Sequence, residues 1–192
     1  MSTMKILLPY RDSCDRDIES SVVSGGGEQF CKLINENFDV EVFPVRSKAE
    51  QSWNTREKSH IQKNIIKKAE EIGADIIVSN FPSSIYNGKH ITESRIPVMI
   101  VMHNRFKMMS IFSRLNKAVG NGHSVFLVSE HQKKYYQECS DRQHEKWPDD
   151  NSNLMCDVAG YIRPSYCIGE KPKIKDKFNY ECGTIGRCDN QK

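Results

Sequence analysis

Short apolar runs rich in β-branched residues recur along this chain, and between them lie longer stretches whose apolar residues return every three or four positions. The runs are strand-like: 4–10, the alternating stretch 40–45, 75–79, 98–102, 124–129, and 158–166, the last broken by Pro164. The intervening stretches have helical spacing. Phe30, Leu33, Ile34 and Phe38 form the first stripe, capped by Ser24 or by one of the glycines that follow it. Ile61, Ile65, Ile66, Ala69 and Ile72 form a second, which Gly73 ends. Phe106, Met109, Phe112 or its neighbour Ile111, and Leu115 form a third, stopped by Gly120-Asn121-Gly122. A short helix is expected from Glu130 to Glu138, and the polar stretch 139–153, with Trp147-Pro148-Asp149-Asp150, reads as an exposed loop. The segment 81–96 reads as a loop with room for one helical turn. Strands alternating with helices predict an α/β domain: a mainly parallel sheet with helices on both faces.

With 192 residues the chain is long enough for one domain with its own core. No apolar run approaches the roughly 20 residues that span a bilayer, and Met1 to Lys5 leads straight into a strand, so a cytoplasmic protein is expected. Seven cysteines, an odd number with no Cys-x-x-Cys pair, favour reduced thiols. Cys139, His144 and Cys156 match no zinc-ligand spacing, and no metal is expected.

Ligands of open α/β sheets bind beyond the carboxyl ends of the strands, which directs attention to the loops there. Ser24-Gly25-Gly26-Gly27-Glu28 lies about fifteen residues after the first strand and ahead of the first helix. Consecutive glycines at a helix N-terminus allow backbone N–H groups to approach an anion such as phosphate; the alternative is a bare turn. His103 falls at the end of the fourth strand, where it can donate to a hydroxyl or accept its proton, or simply mark the strand end. Arg105, Lys107, Arg114, Lys117, Lys133 and Lys134 place six positive charges between residues 105 and 134 against the single acid Glu130. Such a stripe suits a polyanion or an anionic lipid surface, or is a solvated helix face.

Three of these stretches carry a resemblance to the N-terminal domain of the GT-B glycosyltransferases, in the retaining group that includes glycogen and sucrose synthases. Ser24-Gly25-Gly26-Gly27-Glu28 resembles that family's Gly-Gly loop beside the donor diphosphate. Val101-Met102-His103-Asn104 resembles its strand-end histidine, which contacts the transferred sugar. Thr184-Ile185-Gly186-Arg187, with Lys192 five residues on, resembles the Val-Gly-Arg…Lys that opens the second domain and binds the donor phosphates. Tyr161-Ile162-Arg163-Pro164 resembles the approach to the interdomain hinge, without the usual Asn-Gly.

The resemblance implies a Rossmann-like domain over 1–168, a linker over 169–177 and the start of a donor-binding domain over 178–192. It implies a nucleotide sugar as donor substrate, with no separate cofactor. His103 would be the catalytic contact; Gly25, Gly26, Gly27, Arg187 and Lys192 would hold the diphosphate. Arg105, Lys107, Arg114 and Lys117 are the candidate acceptor surface, for a nucleic acid such as a modified base in phage DNA, a lipid or a small sugar. Without the rest of the second domain and its paired glutamates, residues 1–192 are expected to be inactive alone. The alternative expectation is a non-enzymatic α/β module that binds a nucleotide or a nucleic acid.

Overall fold

A computed structural model describes residues 4–10, 18, 26–45, 55–80, 89–103, 110–151 and 154–162. The elements alternate: β1 (Lys5–Tyr10), α1 (Gly26–Asn37), β2 (Asp39–Pro44), α2 (Thr55–Ile72), β3 (Ile76–Ser79), α3 (Lys89–Thr92), β4 (Val98–Met102), α4 (Ser110–Gly120), β5 (Ser124–Leu127), α5 (Glu130–Lys146) and β6 (Gly160–Tyr161). The strands make one six-stranded sheet in the order β2-β1-β3-β4-β5-β6, and every pairing is parallel. This is a Rossmann-like α/β fold, as the alternation of periods predicts.

Because side chains alternate across a strand, the sheet sorts its apolar residues into two cores. Leu7, Ile77, Ile100, Met102, Val125 and Leu127 point to one face and meet Ile65 and Ala69 of α2, Ile91 of α3, Phe112, Leu115 and Ala118 of α4, and Tyr136 of α5. Ile6, Leu8, Tyr10, Val78 and Val101 point to the other and meet Ile18 with Phe30 and Cys31 of α1. The helices are thus unequally shared. Right-handed crossovers explain it: the chain steps one way from β1 to β2 and the other way in every later connection, so α1 stands apart from the helices that follow.

Local chemistry ends these elements where the sequence indicates. Gly73 terminates α2 with φ +66°, a left-handed conformation open to glycine, and Gly122 does the same after α4 with φ +86°. The one expected turn in 81–96 is α3, with 81–88 outside the described residues. Pro9 stands near the end of β1, in register with Phe43 of β2 and beyond the residues that pair with β3.

Three expectations need correction. In the first helix Gly26 and Gly27 form the first turn. Its buried face is Phe30 and Cys31, while Phe38 lies past its end and is 53% exposed. The largest departure is α5, which continues through 139–146 instead of giving way to a loop. Its buried face is Gln132, Tyr136 and Ser140, one residue per turn, and two of the three are polar. A helix whose inner stripe is hydrogen-bonded rather than apolar leaves little trace in hydropathy. The helix gives way only at Trp147, which is exposed, with Lys146 Nζ 4.4 Å above its ring. The last strand is Gly160–Tyr161, shorter than the expected 158–166, and residues from 163 onward lie outside the described ones.

Candidate functional site at the carboxyl edge of the sheet

The chain reverses its direction of travel across the sheet at β1, whose neighbours β2 and β3 are reached over opposite faces. In open α/β sheets such a reversal is where ligands bind, beyond the carboxyl ends of the strands. Three side-chain positions meet there: Gly27 in the first turn of α1, Asn80 immediately after β3, and His103 immediately after β4.

Asn80 is fully buried, with 0% of its surface exposed. Its amide nitrogen donates to the Gly27 carbonyl at 2.7 Å and to Cys31 Sγ at 3.2 Å, fastening the start of α1 to the end of β3. The same nitrogen would lie 3.1 Å from a Cβ added at Gly27, and ring atoms of His103 would lie 3.9 Å from it. Asn80 and His103 thus converge on the space where a side chain at 27 would stand. This is a steric reason for glycine, distinct from any demand on φ.

The His103 imidazole packs at 5.5 Å, centroid to centroid, on the ring of Phe30. Burial lowers its pKa from 6.5 to about 4, so the ring is neutral at neutral pH. That state makes it a poor proton acceptor and leaves it a hydrogen-bonding group. Two polar atoms here are shielded from solvent and have no hydrogen-bond partner among the described residues: Asn80 Oδ1 and His103 Nε2. A buried, unpaired polar atom costs about 1–3 kcal/mol, so each of these two is unfavourable to folding as it stands.

Gln132 holds this edge in shape. Its amide donates to the Met102 carbonyl at 2.9 Å, its oxygen accepts from Val128 N at 2.9 Å, and its own backbone N–H donates to Ser129 Oγ, the N-cap of α5, at 3.1 Å. The residue before His103 is thereby fixed to the turn that follows β5. Ser129 caps α5 from the end of that turn.

Of the residues expected at the site, Gly26, Gly27 and His103 come together at this edge. Gly25, Arg105, Lys107, Arg187 and Lys192 lie outside the described residues, as do the linker 169–177 and the segment 178–192. Arg114 lies mid-way along α4, and Lys117 near its far end, where its ammonium pairs with Glu93 at 2.5 Å. That pair lies toward the amino edge of the sheet, away from His103. Asn80 was not expected; its only signal is a polar residue two positions after the β-branched run 76–78.

Other histidines and cysteines are occupied differently. His123 is buried and donates from Nε2 to the Thr92 carbonyl at 3.0 Å while Nδ1 accepts from Val98 N at 3.3 Å, tying α3 to β4. Among the described residues no three metal-capable side chains converge. Cys139 Sγ accepts from Arg142 Nη2 at 3.4 Å, and burial pushes the Cys156 thiol up to about 11, opposite to what a metal-bound thiolate requires. No helix among the described residues is long and apolar enough to cross a membrane. Comparison with protein-family models, with curated proteins and with solved structures finds no match for this chain.

Proposed function

We propose that the carboxyl edge of this sheet binds a nucleotide sugar, and that the chain serves as the acceptor-side half of a glycosyltransferase. The observation that carries this reading is the convergence of Gly27, Asn80 and His103 on one space at the topological switch point, with two buried polar atoms unpaired among the described residues. The N-terminus of α1 offers N–H groups without intrahelical partners and a positive partial charge, which suit a phosphate. The neutral imidazole of His103 suits a sugar hydroxyl. By the family resemblance, Arg187 and Lys192 would add positive charge to the leaving diphosphate. Arg105, Lys107 and Arg114 remain the proposed acceptor surface, for a nucleic acid, a lipid or a small sugar, without Lys117, which pairs with Glu93 away from His103.

The low basicity of His103 favours a second reading, a non-enzymatic module that holds a nucleotide. Binding there would need no proton acceptor. Titrating 15N-labelled protein with UDP-, ADP- and GDP-linked hexoses to about 10 mM, beside the corresponding nucleotides, separates the two. The enzyme reading expects amide shifts at Gly27, Asn80 and His103 that are larger with the sugar attached. Equal shifts with and without it support the module; no shift at these residues with any compound refutes both.

A further inference from the structure

The amide of Asn80 has two donors and one acceptor group, and the structure accounts for the donors alone. One hydrogen goes to the Gly27 carbonyl and the other toward Cys31 Sγ. Turning the amide over would set its oxygen against the Gly27 carbonyl oxygen, two acceptors face to face, so its orientation is fixed by the neighbours. What Asn80 has left to offer is Oδ1, buried and unpaired among the described residues.

That polarity restricts the ligand. A phosphate at neutral pH presents acceptors and repels a carbonyl oxygen, whereas a hydroxyl or an amine can donate to it. We infer that Asn80 is a specificity-determining residue whose Oδ1 accepts a hydrogen bond from a hydroxyl of the bound ligand, while its amide nitrogen keeps hold of α1. The inference rests on the nucleotide-sugar reading and narrows it. The group that meets Asn80 is the hydroxyl-bearing part of a glycosyl phosphate, and a bare phosphate or pyrophosphate does not satisfy Oδ1. Asn80 also couples binding to position: the amide that reads the hydroxyl is the one that sets the first turn of α1.

The test follows the side-chain carbonyl carbon of Asn80, which reports directly on hydrogen bonding to Oδ1. Protein labelled with 13C,15N-asparagine, with Asn80 assigned by the loss of its signal in Asn80→Ala, is titrated separately with UDP-glucose, ADP-glucose and inorganic pyrophosphate. The expected result is a downfield shift of the Asn80 carbonyl with at least one nucleotide sugar and none with pyrophosphate. In affinity measurements Asn80→Ala is expected to lose about tenfold more affinity for that nucleotide sugar than for pyrophosphate, the loss typical of one hydrogen bond, because release of α1 affects both ligands alike. If Asn80→Ala does not fold, the wild-type carbonyl shift decides alone, with assignment taken from its contact to the Gly27 amide region. Shifts at Gly27 and His103 with an unmoved Asn80 carbonyl, or a pyrophosphate effect equal to that of the nucleotide sugars, overturn the role of Asn80 and leave the binding reading standing. No shift with any probe overturns both.

Discussion

Replacing Gly27 by alanine sets two opposing effects against each other, and the structure decides between them. Alanine in place of a helical glycine is favoured by about 0.5–1 kcal/mol, because less backbone entropy is lost on folding. Gly120, in the last turn of α4, measures that gain cleanly: a Cβ there meets nothing within 4 Å. At Gly27 the new Cβ stands 3.1 Å from Asn80 Nδ2, a few tenths of an ångström too close. A flexible surface side chain would move aside. Asn80 is fully buried and held by two hydrogen bonds, so it can yield only by stretching them. Loss of the bond to the Gly27 carbonyl, with a buried donor left unpaired, costs about 1–3 kcal/mol. Gly27→Ala is therefore expected to be destabilised by about 1 kcal/mol net, and Gly120→Ala to be neutral or up to about 1 kcal/mol more stable. Urea denaturation resolves the difference if the m-value is unchanged, and melting points should separate by several degrees. Equal stabilisation of both variants would refute the argument that Asn80 presses on α1.

Acid should weaken the fold through its buried histidines. His103 titrates at about 4 in the folded chain against an ordinary 6.5, so the unfolded state binds more protons between those values. Its contribution is complete above about pH 6.5 and is lost as pH falls toward 4; His123, also lowered by burial, acts in the same direction. His103→Phe should flatten part of the pH dependence of urea stability between pH 7 and 5, and an unchanged profile would contradict the burial. In NMR the His103 ring should keep its neutral-form shifts at pH 5. Gln132→Leu removes the bonds to the Met102 carbonyl and from Val128 N, and should destabilise by about 2–4 kcal/mol, readable as a drop in the urea midpoint. It should also shift the His103 resonances, which a substitution acting only on α5 would leave in place.

The sheet was legible because every strand except the last is an apolar or alternating run long enough to stand out, and glycines close α2 and α4 where periodicity stops. What hydropathy could not show was an inner surface made of hydrogen bonds. Gln132 and Ser140 are buried on α5 by bonds to the Met102 carbonyl and from Met155 N, and such partners are distant in sequence. Asn80 escaped notice for the same reason: an asparagine after a strand normally signals a turn, and only the approach of α1 makes it a buried clamp. His103 and the glycines could be placed because they sit at element ends, which periodicity locates. That Gly27 must lack a side chain on account of Asn80 is a fact of tertiary contact, invisible in the run of glycines itself.

The strand order carries a consequence for how the chain can be made. β2 joins one side of β1, β3 the other, and then β4, β5 and β6 each add to the outermost strand in the order they are synthesised. No paired strands ever have to part to admit a later one. A nascent chain that has emerged as far as His103 already contains the four strands and the helix end on which Gly27, Asn80 and His103 are mounted. On a ribosome, where folding proceeds from the N-terminus, this edge is thus laid down before α4 and α5 are made, and Gln132 of α5 then fastens it.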